Sequence, residues 1–342
     1  MSLANKCNKV IILCAICEKE TLTQGRSYES NNINISSCFF QRNMNIVGKG
    51  GVVLVDGGDF SMNISLSVFY NCVCTQDGGA IYFSSLSSDI RFICANMCSA
   101  MNGHFGCLYS TINKVSFLSI SNCSLSNTGY WSNRLYSGNQ RYHNTNSSMN
   151  KASQITGVCV SSPTSFLSSY CTFANNYAND CMCIYFASGY GIMGFANIVN
   201  NNSPNSEAVI CVKGSGASHT LEYCIFFMNQ NILFINAAGT SLSIFHSFIS
   251  HNGVSSSENN NTITIFPTYV QYFYNTHYCN AEFPYVEIPL TLSITQTQSI
   301  GQLPQQTHYR SYDYQCSGNY AKYMETNVVF SFLYLVGFFL QQ

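Results

Sequence analysis

Charged side chains are scarce in this chain of 342 residues, of which only 8% are Asp, Glu, Lys or Arg. The 14 basic and 15 acidic residues leave a formal net charge of −1, which excludes both the basic surface of a nucleic-acid-binding protein and an acidic tail. Solvent-facing sides of helices usually carry Glu, Lys and Arg, whereas polarity here comes from Ser, Asn, Thr and Tyr. With 24 Phe and 23 Tyr beside them, the composition favours strands and turns. We therefore expect an all-β protein.

Complete metal-binding motifs are also missing, although the chain has 18 cysteines. The pairs Cys14/Cys17 and Cys181/Cys183 have spacings that metal or redox sites use, but no second Cys/His pair completes a zinc motif. We therefore expect neither a metal ion nor another cofactor.

Two motifs recur along the chain. Apolar residues follow turn-like clusters, as in "GGVVLV" at Val52, "GGAIYF" at Ala80 and "EAVICV" at Ala208, at intervals of 24 to 31 residues with one gap of 51. A second series, typified by Phe40 and Asn43 in "FFQRN", has a matching gap of 48. A repeat of this length with constant internal spacing predicts a parallel β-helix over residues 33–266, with seven to nine coils stacked about 4.8 Å apart.

Glycine and asparagine are the predicted corner residues of each coil. Glycine reaches left-handed or strained backbone conformations without a Cβ penalty, and Asn tolerates the left-handed region and bonds its own backbone. Stacked Asn side chains can also form an amide ladder along the solenoid. The predicted turn residues are Gly50, Gly51, Gly78, Gly79, Asn43, Asn71, Asn96, Asn176, Asn202 and Asn229.

The alternation of a two-glycine strand opener with Phe-x-x-Asn resembles the repeats of the polymorphic outer-membrane protein family, which has relatives among protist surface proteins. The motifs that carry the resemblance are "GGAIYF" at 78–83, "FFQRN" at 39–43, "FANN" at 173–176 and "FMNQN" at 227–231. It implies a right-handed, pectin-lyase-like parallel β-helix displayed at a surface. No strand-rich region is long enough for the C-terminal transporter barrel of the bacterial members.

The long gap in both series predicts an insertion at residues 129–153, which includes the only Trp of the chain. Loops of this length are usually functional or disordered. Its aromatic and basic side chains are candidates for binding a glycan or a partner protein. The alternatives are a mobile insertion and a degenerate coil. The candidate ligand-binding residues are Tyr130, Trp131, Arg134, Tyr136, Arg141 and Tyr142.

Several cysteines occupy repeated positions. Cys38, Cys123, Cys171 and Cys224 each lie two residues before an apolar anchor, which predicts an inward column of small side chains. Cys171 and Cys224 are expected two coils apart, too far to form a disulfide. Outside the repeats, Cys279 and Cys316 are the predicted disulfide.

The two ends of the chain differ from the repeats. Residues 1–32 are expected to be a leader peptide or an incomplete first coil, with "VIILCAIC" as its strand. Residues 267–326 are a predicted cap or stalk, and 327–342 are a predicted apolar tail. Its uncharged run, 328–340, is expected to associate with a membrane, as a shortened span or a lipid-anchor signal; the alternative is a buried capping strand. Candidate N-glycosylation sites are Asn34, Asn63, Asn122, Asn146, Asn201 and Asn260.

Function is predicted less directly than fold. We expect a non-catalytic protein at the cell surface that recognises a glycan or protein ligand in adhesion. The alternatives are a polysaccharide lyase or hydrolase and a non-functional fragment of a larger surface protein. Polysaccharide cleavage needs clustered carboxylates, and only Asp56 and Asp59 of the six aspartates are close together, in a "VDGGD" segment typical of a polar turn. His246, expected in the cysteine column, and His251, expected at a turn, are interpreted as structural.

Overall fold

Strands and tight turns make up the whole of the chain that the computed structural model describes, with no helix in that part. The described residues all belong to one compact unit, Met1–Ile294. The chain winds into a parallel β-solenoid of about seven coils, which confirms the predicted fold class. The structure describes residues 9–12, 16–17, 20–21, 32–36, 38–41, 43–45, 48–124, 129–179, 183–203, 208–214, 216–230, 235–238, 240–250, 256–257 and 262–267.

The strands are short except where one continues around a corner. In chain order, the first fourteen are β1 (Lys9–Ile12), β2 (Ile16–Cys17), β3 (Glu20–Thr21), β4 (Asn32–Ser36), β5 (Cys38–Gln41), β6 (Met44–Asn45), β7 (Val53–Asp56), β8 (Ser61–Tyr70), β9 (Val73–Cys74), β10 (Ile81–Asn96), β11 (Gly106–Ser121), β12 (Asn133–Tyr136), β13 (Asn139–Ser148) and β14 (Lys151–Ala152). The others are β15 (Val158–Ser161), β16 (Ser165–Ser169), β17 (Thr172–Ala174), β18 (Tyr177–Ala178), β19 (Ile184–Ala187), β20 (Tyr190–Gly194), β21 (Asn197–Val199), β22 (Ile210–Lys213), β23 (Ser218–Glu222), β24 (Ile225–Phe227), β25 (Ile235–Ala238), β26 (Ser241–Ile249), β27 (Ser256–Ser257) and β28 (Thr262–Pro267).

Each coil has three faces, and each face is a ladder of parallel strands. The first face runs β7–β10–β11–β12–β15–β19–β22–β25–β27. The second runs β4–β8–β10–β11–β13–β16–β20–β23–β26–β28. The third runs β5–β8–β10–β11–β13–β17–β21–β24–β26. Equivalent residues of successive coils therefore stack in columns along the axis.

The core is built from the inward columns of the three faces. On the first face, Val53 stacks on Ile81, and Val158 on Ile184 and Ile210, all of them fully buried. Aromatic rings stack in the same way on the third face, where the centroids of Phe40 and Phe69 are 4.8 Å apart and nearly parallel. Burial of such apolar columns is the main source of stability in a solenoid, because each coil covers the apolar surface of its neighbour.

Glycine pairs open the first-face strands for two different reasons. Gly50 and Gly78 have φ angles of +65° and +73°, a region that L side chains adopt only with strain. Gly51 and Gly79 lack this φ, but a Cβ at either position would collide with a carbonyl oxygen of the next coil. The first glycine of each pair is thus needed for its backbone conformation, and the second for close packing between coils.

The other corners use residues other than glycine. Between the second and third faces, one residue per coil has a φ between 48° and 56°, and most of these residues are aromatic. This corner column consists of Leu66, Phe92, Phe117, Asn144, Tyr170, Phe195, Tyr223 and His246. A second corner column follows the third face and consists of Asn71, Met97, Asn122, Met149, Asn175, Asn200 and Met228. His246 was expected in the cysteine column. That prediction is wrong, because Ser247 occupies the position.

The predicted amide ladder is present, one position after the second corner column. Its members are Asn43, Cys72, Cys98, Cys123, Asn150, Asn176, Asn201 and Asn229. Asn176 and Asn201 each accept a backbone N–H at Oδ1 and donate to a carbonyl oxygen of an adjacent coil. Three cysteines take the place of Asn in consecutive coils. Of the other predicted turn residues, Asn71 is at the corner itself, Asn96 ends β10, and Asn202 follows the ladder with bridges to Tyr177 and Gln230.

The cysteine column was predicted only in part. Cys38, Cys171 and Cys224 share a column, and Ala196 separates the last two as expected. Cys123 instead lies in the amide ladder, because its coil places the cysteine after the second corner. Burial raises the pKa of the Cys171 thiol to about 11 and that of Cys224 to about 12, so these thiols remain protonated. Cys38, Cys94 and Cys211 are disulfide-bonded.

Residues 129–153 are not an insertion. They form a regular coil, in which β12 and β13 stack between β11 and the strands β15, β16 and β17. The coil was not recognised as a repeat because two of its inward positions are polar: Asn133 and Gln140 lie where the next coil has Val158 and Phe166. We call this segment the polar coil.

The first strands close one end of the solenoid with the opposite orientation. β1 pairs antiparallel with β7, and β2 pairs antiparallel with β3 and β5. A strand of an incomplete coil would run parallel to its neighbour, so that interpretation of "VIILCAIC" is wrong. The leader peptide remains a prediction.

Several sequence predictions concern residues that the structure places elsewhere or does not describe. A glycan at Asn146 or Asn201 is incompatible with the fold because both side chains are fully buried, whereas Asn34 is exposed and Asn63 and Asn122 are half-buried. Across the described part of the chain, no helix has the length and apolar character needed to cross a bilayer. The predictions for Asn260, His251, Cys279, Cys316, the cap at 268–326 and the apolar tail at 327–342 lie outside the described residues.

Candidate functional site

The outer surface of the first face carries several aromatic and basic side chains. Two outward columns form it, because β-strand residues alternate between core and surface. The first column includes Tyr82, Cys107, Arg134, Cys159 and Tyr185. The second includes Tyr109, Tyr136, Ser161, Ala187 and Lys213. Trp131 lies in the turn that precedes β12, at the side of this surface.

Arg134 is the centre of the aromatic cluster. Its guanidinium carbon lies 4.2 Å from the centroid of the Trp131 ring, 5.4 Å from that of Tyr109 and 5.3 Å from that of Tyr136. Its Nη1 donates a hydrogen bond of 2.8 Å to the Tyr109 hydroxyl. Cation–π contacts to three rings hold the side chain in one orientation, with its charge at the surface of the solenoid.

A groove begins next to Tyr136, the last tyrosine of the second column. After Tyr136, the second column continues with the small residues Ser161 and Ala187, so a depression runs over two coils before Lys213. The cavity has a volume of about 340 Å³, within the range of small-ligand sites. We call it the Trp131 groove. Its lining residues are Trp131, Arg134, Tyr136, Gln154, Ile155, Cys159, Ser161, Ser162, Tyr185, Ala187 and Lys213.

The aromatic surface extends beyond the groove towards the first coils. The ring centroids of Tyr82 and Tyr109 are 5.6 Å apart, and those of Tyr109 and Tyr136 are 5.2 Å apart. Lys49 lies beyond Tyr82 at the end of this row of tyrosines. Its Nζ is 2.8 Å from the Tyr82 hydroxyl and 3.4 Å from Asp56 Oδ2. Burial alone would lower the pKa of Lys49, but the bond to Tyr82 and the charge of Asp56 outweigh it and raise the pKa. For Tyr109, burial itself raises the pKa of the hydroxyl, despite the nearby charge of Arg134.

The six predicted ligand-binding residues do not form one site. Trp131, Arg134 and Tyr136 line the groove together, and Tyr130 stands beside them with its ring centroid 5.6 Å from that of Trp131. Arg141 is exposed on the second face, away from the groove. Tyr142 is fully buried in the core, so its prediction as a surface residue is wrong: strand alternation turns it inward, in the column of Val115.

Sequence reasoning missed the far side of the groove. Tyr185 and Lys213 are 54 and 82 residues from Trp131 in the chain, and only the stacking of coils brings them to the same cavity. Aligning the coils from their first-face strands would have found them, because Arg134, Cys159 and Tyr185 occupy the same column.

The carboxylates considered for catalysis lie in a surface turn. Asp56, the last residue of β7, and Asp59, in the turn that follows, are both exposed, and Lys49 contacts Asp56. The two glycines between them have φ angles of +87° and +79°, as a tight polar turn requires. In the described residues, His, Cys, Asp and Glu side chains form no group of three that could hold a metal ion.

Comparison of this chain with protein-family models, with curated proteins and with solved structures gives no match.

Proposed function

We propose that this protein is a non-catalytic recognition protein that binds carbohydrate in the Trp131 groove. The observation that carries the proposal is the fixed position of Trp131 and Tyr136 around Arg134, at the edge of a cavity of about 340 Å³. Aromatic faces stack on the apolar faces of sugar rings, and polar side chains at the edges bond their hydroxyls. Gln154, Ser161 and Ser162 supply such groups here.

A saccharide fits this groove better than a protein partner. Hot spots of protein interfaces are single buried anchors within a surface of roughly 800 Å² per partner. The groove is instead a narrow depression, bounded by Trp131 and Tyr136 at one end and by Lys213 at the other. Its rings belong to rigid strands and to the turn that leads into β12, so binding orders few side chains.

Surface display, with a role in adhesion, is the second part of the proposal. The disulfide-bonded state of Cys38, Cys94 and Cys211 is typical of proteins that fold in an oxidising compartment. The exposed Asn34 is available to a glycan. The resemblance to polymorphic outer-membrane protein repeats and the apolar run at 328–340 favour the same location.

Trp131 provides a direct test because it is the only Trp of the chain. We expect its fluorescence to change saturably when the protein is titrated with oligosaccharides from a panel of neutral and acidic sugars. Trp131→Phe should remove the signal but keep part of the affinity in calorimetry, and Trp131→Ala should weaken binding by about tenfold or more, as loss of a stacking ring does.

Arg141→Gln is a matched control, since it removes an exposed cation of the polar coil on a different face. Its affinity for the same sugars should equal that of the wild type. The proposal is rejected if no sugar of the panel binds, or if Trp131→Ala binds as tightly as Arg141→Gln.

A further inference from the structure

We infer that the outer surface of the second face binds an anionic lipid surface. Two cations and four large apolar side chains project from successive coils there, on the strands β11, β13, β16 and β20. All six side chains are exposed, and we call them the second-face patch: Ile112, Lys114, Arg141, Leu167, Tyr190 and Ile192. This inference is independent of carbohydrate binding, because the Trp131 groove is on the first face.

Four members of the patch form one outward column. Lys114 is in register with Arg141 on the next coil. Leu167 and Ile192 follow on the two coils after that. At roughly 4.8 Å per coil, the column is about 14 Å long. Cations occupy one half of this strip of the sheet, and apolar side chains occupy the other half.

The two cations of the patch have no partner of opposite charge among the described residues. Asp89 precedes Lys114 in the same column, but its Oδ1 is 3.0 Å from Nε of Arg91 and is therefore already paired. In the described part of the chain, neither Lys114 nor Arg141 forms an ion pair. Like charges directly opposite each other on neighbouring strands are destabilising. An anionic ligand at this position would relieve the repulsion.

The apolar members of the patch are grouped and face solvent. Leu167 is 47% exposed, Ile192 44% and Tyr190 62%. Leu167 is in register with Ile192, and Tyr190 leaves β20 in the same direction because it lies two residues before Ile192. Ile112, 40% exposed, lies two residues before Lys114 on β11. Groups of exposed apolar side chains mark surfaces that bind a partner or a membrane.

The combination fits a lipid surface better than a protein or a sugar. Hot spots of protein interfaces fill pockets, whereas these side chains stand out from a sheet face. Sugars stack on aromatic rings and would leave Leu167 and Ile192 without a role. At a bilayer, aliphatic side chains enter the acyl boundary, Tyr rings lie at the level of the headgroups, and cations pair with anionic lipids. Each member of the patch can make its contact separately, so no matching contour is needed.

Vesicles of two compositions provide the first test. Co-sedimentation of the full chain is measured with vesicles of phosphatidylcholine and with vesicles of phosphatidylcholine and phosphatidylserine mixed three to one. We expect the anionic vesicles to bind about tenfold or more tighter, with an advantage that falls as salt rises. Equal binding to the two kinds of vesicle, or binding to neither, would contradict the inference.

Lys114→Gln tests the cationic half of the patch. It should weaken binding to the anionic vesicles by about fivefold, the effect of one cation close to such a surface. The matched control is Lys151→Gln, which removes an exposed lysine from β14, outside the three faces, and should change nothing. If the two lysine variants bind alike, the cations of the patch take no part and the inference is wrong.

Leu167→Thr combined with Ile192→Thr tests the apolar half. The change copies Thr220, which follows Ile192 in the same column, and keeps a residue that favours strands. It should weaken binding to the anionic vesicles by about tenfold or more, because less apolar surface enters the lipid. Trp131→Ala is the control and should bind vesicles as the wild type does, since its side chain lies at the first face.

Two further results would overturn the inference. If soluble polyglutamate binds more tightly than the anionic vesicles, and the double Thr variant keeps that binding, the partner is an acidic macromolecule. If the wild type and all patch variants bind vesicles equally well, another segment, such as the apolar run at 328–340, makes the contact.

Discussion

His219 is a buried ionisable side chain of the second face. Its ring stacks on Phe186 with centroids 4.1 Å apart, and Gly191 leaves the space that it occupies. Among the described residues, only its Nε2 has a partner, the carbonyl of Ser188 at 3.3 Å. Burial lowers the pKa of His219 from 6.5 to about 4, and burial has the same effect on His104.

Acid should therefore destabilise the protein. The unfolded chain takes up a proton at His219 below pH 6.5, but the folded chain does so only below about pH 4, so stability is complete above pH 6.5 and is lost as the pH falls towards 4. The shift corresponds to about 3 kcal/mol. His219→Leu, which copies Leu242 of the next coil, should remove this part of the acid sensitivity.

The measurement is urea unfolding of wild type and His219→Leu at pH 7 and pH 4.5. The variant should lose clearly less stability between the two pH values than the wild type, while the contribution of His104 persists in both. An equal loss in both proteins would show that His219 is not the residue responsible.

At the scale of the element, the amide ladder is a hydrogen-bonded column that is uninterrupted from Asn150 to Asn229. Asn176 donates to Ser147 O at 2.9 Å and to Asn201 Oδ1 at 3.0 Å, and its own Oδ1 accepts from Asn150 N. Asn176→Ala should destabilise the protein by about 2–3 kcal/mol, because it leaves a buried N–H and a buried carbonyl without partners.

The neighbouring Asn175 provides the control, since it lies in the corner column with its side chain partly exposed. Asn175→Ala should cost about 1 kcal/mol, the strain of a left-handed Ala. Thermal and urea unfolding of both variants measure the difference. Equal losses would mean that the ladder bonds of Asn176 contribute no more than the corner conformation of Asn175.

The polar coil contains buried groups that lack partners. Both side-chain polar atoms of Asn133 and the Tyr142 hydroxyl are buried and have no hydrogen bond of normal geometry to other described residues, although the Asn133 side chain lies close to that hydroxyl. Asn133→Val, which copies Val158 of the next coil, combined with Tyr142→Phe should stabilise the protein by about 1–3 kcal/mol, the usual penalty of unpartnered buried groups. A rise in the urea midpoint at unchanged m-value would support this; a fall would show that these groups are satisfied.

The polar coil also explains which parts of the structure the sequence could predict. Repeats with Gly pairs or Phe-x-x-Asn were recognisable, because their apolar residues recur at constant spacing. The coil at 129–153 lacked this pattern, since Asn133 and Gln140 replace apolar residues in the core. Trp131 and Arg134 were identified by residue type alone. Tyr185 and Lys213, on the far side of the groove, could not be found in this way, because their place there depends on how the coils stack.

At the scale of the whole molecule, β1 covers an edge that would otherwise be open. β7 pairs with β10 on one side and with the antiparallel β1 on the other. Unpaired edge strands promote association between molecules, and the solenoid is protected here by a strand of opposite direction.

Val10→Pro combined with Ile11→Pro should break the pairing of β1 with β7, because one of two successive strand residues directs its N–H at the partner strand and Pro has no N–H. We expect concentration-dependent self-association, visible by analytical ultracentrifugation as a shift from monomer to larger species. Val10→Ala with Ile11→Ala keeps both N–H groups and should associate less. If both double variants remain monomeric, β1 does not act as the protective strand.

The parallel ladders also determine how the chain can acquire its structure. Hydrogen bonds between coils join residues about 25 apart, as in Asn176 and Asn201 or Ser88 and Asn113, so each coil contacts only those adjacent to it. A completed coil therefore acts as a template for the next, and structure grows outward by addition to an existing end. We expect the slow step to be formation of the first pair of coils, because no template exists before it.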